Sequence, residues 1–142
     1  MNVKSVAYWV ATALIALETL AGGATDVAHG RTALVSGSLV VDVVTGLGYP
    51  VYVLTILGVW KLLGAAALLA PRLPRLKEWA YAGIVFELTG AAASQIARGH
   101  SVGDIATPLL LAGLAMISWA LRPASRTLGP PLPATQRARA TV

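Results

Sequence analysis

Residues 51–70 read VYVLTILGVWKLLGAAALLA, a stretch in which Lys61 is the only charged side chain. At a rise of about 1.5 Å per residue, a helix of this length crosses the roughly 30 Å hydrocarbon core of a bilayer. Residues 6–28, 80–97 and 105–121 are comparably apolar, and none of the four stretches shows the polar stripe of a soluble amphipathic helix. The sequence therefore predicts an all-α fold, a bundle of four transmembrane helices.

The composition supports this interpretation. Of the 142 residues, 56% are hydrophobic and 12% are charged, and the mean hydropathy is +0.71. These values are typical of one polytopic membrane domain. The first apolar stretch contains Glu18 and lacks a small-residue cleavage site, so we interpret it as a retained helix and not as a signal peptide.

Basic residues are distributed unevenly between the two predicted membrane surfaces. Only Arg31 and Arg98 fall on one side, whereas the other side holds the remaining basic residues outside the membrane: Lys4, Arg72, Arg75, Lys77, Arg122, Arg126, Arg137 and Arg139. The positive-inside rule therefore predicts a multi-pass protein of the cell membrane with both termini in the cytoplasm. The net charge of +5 points to anionic lipid as a partner and not to nucleic acid.

Two segments outside the helices have distinct compositions. Residues 29–48 are too polar to cross the membrane, and the spacing of their apolar side chains predicts a short interfacial helix between helices 1 and 2, with an irregular or hairpin structure as the alternative. Residues 122–142 are rich in proline and arginine and are predicted to form a disordered cytoplasmic tail. Residues 1–121 then form the transmembrane domain.

Three charged side chains, Glu18, Lys61 and Glu87, fall near the middle of separate apolar stretches. A charge at this depth costs about 2.5–3.5 kcal/mol, so such residues usually face a bundle interior and mark a site. We therefore expect the three to converge in one pocket and to act as the catalytic residues if the protein is an enzyme. Asp26 and Asp42, in contrast, are expected to be solvated at the outer surface.

With two acids and one base in the cluster, one carboxyl group is expected to hold a proton at neutral pH. Such an arrangement suits general acid–base chemistry, and it also suits hydrogen bonding to the carbonyl oxygens of a quinone-like ligand. The alternative is that Lys61 neutralises one glutamate and only stabilises the bundle.

Further candidate residues for ligand binding lie around this cluster. Small or hydroxyl side chains share the helix face of Glu87, where they leave room for a ligand or for another helix. Others adjoin Lys61 or lie at the outer surface near an entrance. The candidates are Trp60, Gly83, Gly90, Ser94, Gln95, Tyr49 and Tyr52.

Several chemistries are not indicated. The chain has no cysteine, which excludes disulfides, thiol catalysis and Cys-ligated zinc or iron–sulfur centres. His29 and His100 fall outside the membrane stretches, so no metal site and no haem site is predicted. Asp104 is interpreted as the N-cap of helix 4.

The run Gly48-Tyr49-Pro50-Val51-Tyr52, with Lys61 further along and the motif EWAYAG at residues 78–83, resembles the DoxX-like family of small four-helix membrane proteins. The resemblance extends from Tyr8 to about Leu121. It implies a four-helix bundle and a lipophilic redox partner, because the family takes its name from a quinone-linked oxidoreductase subunit. Members often have histidine where this chain has Gln95.

Three functions fit these observations. The first is a redox-accessory subunit that binds a quinone-like ligand at the Glu18, Lys61 and Glu87 cluster, with no covalently bound cofactor. The second is a membrane acid–base enzyme that opens an epoxide or isomerises a lipophilic substrate. The third is an assembly or chaperone-like subunit that packs against another membrane protein or against a second copy of this chain.

Overall fold

The computed structural model describes residues 3–29 and 39–128. Regular secondary structure in these residues is helical, as predicted. The elements are α1 (Val3–Val27), α2 (Val40–Gly46), α3 (Tyr52–Leu69), α4 (Pro74–Ala97), α5 (Val102–Ala120) and a 3-10 turn at Ala124–Arg126.

Helices α1, α3 and α5 are long and apolar enough to cross a membrane. Helix α4 is also long enough, with 24 residues, although it carries Lys77 and Glu78 near its start and Glu87 in its middle. It packs along both α3 and α5, so we treat its apolar part, residues 80–97, as the fourth spanning segment. The predicted bundle of four membrane helices is confirmed.

The four long helices form a ring, since α1 and α4 each pack against both α3 and α5. The core inside the ring includes Ile15, Leu68, Ile84 and Ala115. The start of α4 and the segment after α5 both reach the last turn of α3, where the Leu68 carbonyl accepts hydrogen bonds. We call this end of the bundle the basic end and the opposite end the Arg98 end.

A chain of buried hydroxyl groups connects three of the helices. Thr12 donates to the Tyr8 carbonyl at 2.7 Å, and its oxygen lies 2.7 Å from that of Ser118. The Tyr81 hydroxyl is also 2.7 Å from the Ser118 oxygen. Because the Thr12 proton is already used, Ser118 donates to Thr12 and Tyr81 donates to Ser118. These hydroxyls are therefore satisfied, as buried polar groups must be.

Helix α2 supplies the short helix expected between the first two spans, while residues 30–38 lie outside the described residues. Arg98 fixes the corner between α2 and α3, since its guanidinium donates to the Leu47 carbonyl at 2.8 and 3.1 Å. Gly48 has a positive φ of 94°, and the Arg98 guanidinium packs where a side chain on Gly48 would lie. Both features require glycine at this position.

The N-cap of α5 differs from the sequence-based expectation. Ser101 is the N-cap and accepts from the Asp104 amide, while the Asp104 carboxylate accepts from the Ser101 amide. Asp104 is therefore the third residue of a capping box, in which each residue satisfies a free amide of the other.

Residues 129–142 lie outside the described residues, so the predicted disorder of the tail stays a prediction for them. The residues that open the predicted tail contact the bundle instead. Arg122 forms an ion pair with Glu78 at 2.8 Å, and the Arg126 guanidinium lies over the Trp9 ring at 4.6 Å.

Candidate functional site

Two glycines bring α1 and α3 into close contact at the level of the site. A Cβ atom on Gly58 would lie 2.8 Å from the Gly23 carbonyl oxygen and 2.7 Å from the Val27 amide. A Cβ atom on Gly23 would lie 2.9 Å from the Lys61 Cβ. The backbones can approach this closely only because both residues lack a side chain. This contact fixes the depth at which residues of α1 face Lys61.

Lys61 lies at the centre of the site and pairs with two carboxylates. Its Nζ is 2.8 Å from Asp26 Oδ2 on α1 and 2.9 Å from Glu87 Oε1 on α4. The exposed fraction of the side chain is 4% for Asp26, 16% for Lys61 and 23% for Glu87. The amine therefore links three helices, and its pair with Asp26 is the more deeply buried of the two.

The expectation that Asp26 is a solvated surface residue is wrong. Asp26 lies in the last turn of α1, and the close contact of α1 with α3 buries it against Lys61. An ionised carboxylate at such a buried position requires a partner, and Lys61 supplies it. Asp42, the other acid expected at the surface, is exposed.

Glu18 lies beside this pair without joining it directly. A Cβ atom on Gly22 would lie 3.4 Å from Lys61 Nζ and 3.6 Å from Glu18 Oε1, so the two groups flank the same glycine. Among the described residues Glu18 forms no ion pair; the Thr19 hydroxyl lies 3.5 Å from its Oε2 but donates to the Ile15 carbonyl at 2.7 Å. The structure thus brings all three predicted residues to one region, with Asp26 as the added member.

A groove between α3 and α4 begins at Lys61 and Glu87. Its volume is about 620 Å³. The groove opens sideways on the outer surface of the bundle, because the aromatic residues on its rim are exposed. Apart from Lys61 and Glu87, its lining is apolar or glycine: Leu57, Trp60, Leu63, Gly64, Ala67, Leu76, Trp79, Ala80, Gly83, Ile84 and Phe86. We call this feature the α3–α4 groove.

The candidate ligand-binding residues divide into two sets. Trp60 and Gly83 line the α3–α4 groove. The others lie away from it, towards the Arg98 end: Gly90, Ser94, Gln95, Tyr49 and Tyr52. In that second set the Tyr49 hydroxyl lies 2.8 Å from the Ser94 hydroxyl, and Gln95 hydrogen-bonds to His100.

This arrangement can hold a lipophilic molecule that carries one polar group. The ammonium group of Lys61 can donate to a carbonyl or phenolate oxygen, and a carboxyl group can accept from or donate to the same ligand. In the part of the chain that the structure describes, no group of three histidine or acidic side chains is placed to hold a metal ion.

These features define a class: a small integral membrane protein whose helical bundle encloses a charged cluster. The chain belongs to the DoxX-like family, whose sequence model matches residues 10–118. That range includes all of α3 and α4, most of α1 and α5, and all four charged residues of the cluster. No curated protein and no solved structure matches the chain.

Proposed function

We propose that this membrane protein binds a lipophilic, quinone-like compound in the α3–α4 groove and serves as an accessory subunit of a redox system. One observation carries the proposal: Lys61 and Glu87 lie at one end of an otherwise apolar groove that opens on the outer surface of the bundle. A quinone has matching chemistry, since its ring carbonyls accept hydrogen bonds and its tail is apolar. The compound would enter laterally from the bilayer, and a partner protein would supply the electrons.

The size of the α3–α4 groove fits such an occupant. Ligand sites usually measure about 300–1,000 Å³ and combine an apolar lining with a few polar groups. At about 620 Å³ the groove can hold a ring head group and the first part of a tail. Trp60 and Trp79 on the rim supply flat surfaces against which a ring can stack.

The test uses the purified protein in detergent and a quinone with a short, soluble tail. Binding is followed by quenching of tryptophan fluorescence, because two of the four tryptophans line the groove. Glu87→Gln should keep the fold and weaken binding of the reduced, hydroquinone form about tenfold, because a hydroquinone hydroxyl donates to the Glu87 carboxylate and this charge-assisted hydrogen bond is lost. Mass spectrometry of an organic extract of the pure protein tests which compound is bound natively.

A matched pair of glycine variants tests whether the quinone binds in the α3–α4 groove. Gly83 lines the groove, and Gly113 lies on α5 outside it. A Cβ atom added to either residue would meet nothing within 4 Å. Both can therefore become leucine without a backbone clash. Gly83→Leu should fill the groove and abolish quinone binding, whereas Gly113→Leu should bind as the unmodified protein does. Equal binding by both variants would place the ligand elsewhere.

A second function, acid–base catalysis on a lipophilic substrate, is favoured by the third carboxyl group. Asp26 already neutralises Lys61, so Glu18 and Glu87 are not both needed as counter-ions and one of them can hold a transferable proton. Opening of an epoxide or isomerisation of a double bond would then occur beside Lys61. Substrate loss without any redox partner, abolished by Glu18→Gln or Glu87→Gln, would favour this function over the first.

We further propose that the protein lies in the cell membrane with its basic end in the cytoplasm. Among the described residues, this end carries one acid, Glu78, and six basic side chains: Lys4, Arg72, Arg75, Lys77, Arg122 and Arg126. This charge bias favours the cytoplasmic side.

A further inference from the structure

Three cationic side chains, separate from the Lys61 cluster, converge at the basic end of the bundle. Lys77, at the start of α4, is buried and donates to the Ala67 and Leu68 carbonyls at 2.9 and 2.5 Å. Arg126 donates to the same Leu68 carbonyl and to the Tyr8 hydroxyl, both at 3.4 Å. The two cations therefore meet at the last turn of α3, where the helix dipole favours positive charge.

Arg122 is the third cation and is nearly buried, with 4% of its side chain exposed. Its guanidinium carbon lies over the rings of Tyr81 and Trp119, 5.2 and 5.3 Å from their centroids. One terminal nitrogen pairs with Glu78 at 2.8 Å, but the other, Nη1, is buried and has no hydrogen-bond partner among the described residues. A buried, unpartnered donor of a charged group is costly and usually marks a missing partner.

The local charge is not balanced. Burial raises the pKa of Glu78, but hydrogen bonds from Trp119 and Arg122 outweigh burial and keep its pKa below the usual 4.5, so it is ionised at neutral pH. Burial, together with the charges of Arg126 and Arg122, lowers the pKa of Lys77 from 10.5 to about 8. Glu78 thus pairs with Arg122, while the charges of Arg126 and Arg122 both oppose the charge of Lys77.

We propose that Lys77, Arg122 and Arg126 form a binding site for a phosphate group at the basic end of the bundle. The unpartnered Arg122 Nη1 and the free donors of the other two cations supply charge-assisted hydrogen bonds of the kind that phosphate oxygens accept. The site lies beyond the apolar part of α4, at the level where lipid head groups meet a membrane protein. A phospholipid head group or free phosphate can supply the same chemistry.

Titration of the purified protein in neutral detergent tests the site. The probes are phosphatidylglycerol, phosphatidylcholine with identical chains, and inorganic phosphate, and native mass spectrometry counts the bound lipids. Arg126→Gln should weaken the first phosphatidylglycerol site about tenfold, and Lys77→Met should act in the same direction. Arg75→Gln is the matched control, because Arg75 is an exposed cation in the first turn of α4; it should change affinity less than about twofold. Circular dichroism in the absence of lipid checks that each variant is folded.

Each outcome decides the proposal. Saturable binding of phosphatidylglycerol that depends on Arg126 and Lys77, with inorganic phosphate inactive, supports the site and identifies a lipid as its ligand. Inorganic phosphate that binds with the same dependence and displaces the lipid supports the site with a soluble ligand. Affinities for the two lipids and for inorganic phosphate that Arg126→Gln and Lys77→Met leave unchanged, or equal weakening by Arg75→Gln and Arg126→Gln, would overturn it.

Discussion

Replacement of Lys61 by methionine should be the most damaging single change in the membrane part of the protein. Methionine keeps the apolar stem of lysine and removes the charge. Asp26 then loses its ion-pair partner at a position where 4% of its side chain is exposed. Glu87 is less affected, since it is 23% exposed and adjoins the α3–α4 groove.

The magnitude follows from the cost of breaking the ion pair and, separately, from the cost of protonating the carboxylate. Removing one partner of a buried ion pair costs about 3–5 kcal/mol. The carboxyl group left behind can avoid being charged by taking up a proton, which at pH 7 costs an aspartate about 4 kcal/mol relative to water. The two values agree, so we expect Lys61→Met to lower the free energy of unfolding by about 3–4 kcal/mol at pH 7.

Uptake of this proton also makes the stability of the variant depend on pH. The folded variant holds one proton more than the unfolded chain, so its stability relative to the unmodified protein should increase as the pH falls. The increase should be about 1.4 kcal/mol per pH unit between pH 7 and 5. Adding Asp26→Asn should remove this dependence and recover about 2 kcal/mol, because no carboxylate then needs a partner.

Unfolding by sodium dodecyl sulfate in mixed micelles, followed by circular dichroism, measures these free energies. Lys4→Met, at an exposed lysine, is the control for loss of charge alone. The reasoning fails if Lys61→Met costs less than about 1 kcal/mol. It also fails if Asp26→Asn lowers the stability of the Lys61→Met variant as much as that of the unmodified protein, since the two residues would then not be coupled.

Three further predictions concern the ends of the bundle. A cysteine at the exposed Val102 should react with an impermeant reagent from outside the cell, and labelling only from the cytoplasm would reverse the orientation. Burial, with positive charges nearby, lowers the pKa of Lys77 to about 8. Between pH 8 and 9.5 the unfolded chain therefore holds more protons than the folded protein, and the free energy of unfolding should rise by up to about 1.4 kcal/mol per pH unit. The Lys77→Met variant should lack this rise. Deleting residues 129–142 should leave the melting temperature in detergent unchanged, whereas deleting 123–142 also removes the contacts of Arg126 and should cost about 1 kcal/mol.

The bundle itself could be predicted from sequence because its physical requirements are few. A membrane helix needs enough length and apolarity, and both can be read directly from residues 51–70. The burial of Lys61 and Glu87 inside the bundle could be expected for a similar reason, since charged groups at mid-membrane rarely face lipid.

The role of Asp26 depended on information that the sequence carries only in part. Glu18, Gly22 and Asp26 are spaced by four residues and so share one face of α1, which was a usable signal. The depth of Asp26 relative to Lys61 is set by the contact of Gly23 with Gly58, where two backbones meet. Such a contact fixes how one helix is shifted along another, and spacing within a single helix cannot predict it.

The groove was less predictable than the charged cluster. Small residues on the face of Glu87, among them Gly83, Gly90 and Ser94, predicted room for a ligand or for the approach of another helix. In the structure the groove extends from Glu87 only towards the basic end, where Gly64 and Gly83 line it and a Cβ atom on either would meet nothing within 4 Å. The separation of two helices depends on all their contacts, which no local motif specifies.

The two carboxylates that pair with Lys61 are suited to different tasks, so the cluster can stabilise the bundle and also bind a ligand. Asp26 is more deeply buried and makes its contact through the tightly packed α1–α3 interface, so exchanging its partner would break packing as well as a hydrogen bond. Glu87 pairs with the same amine from the wall of an open groove. If the proposed ligand binds, it can displace Glu87 from Lys61 while Asp26 keeps the amine charged and in position. The bundle then retains one buried ion pair with the ligand present or absent, and the cost of leaving Lys61 unpaired does not oppose binding.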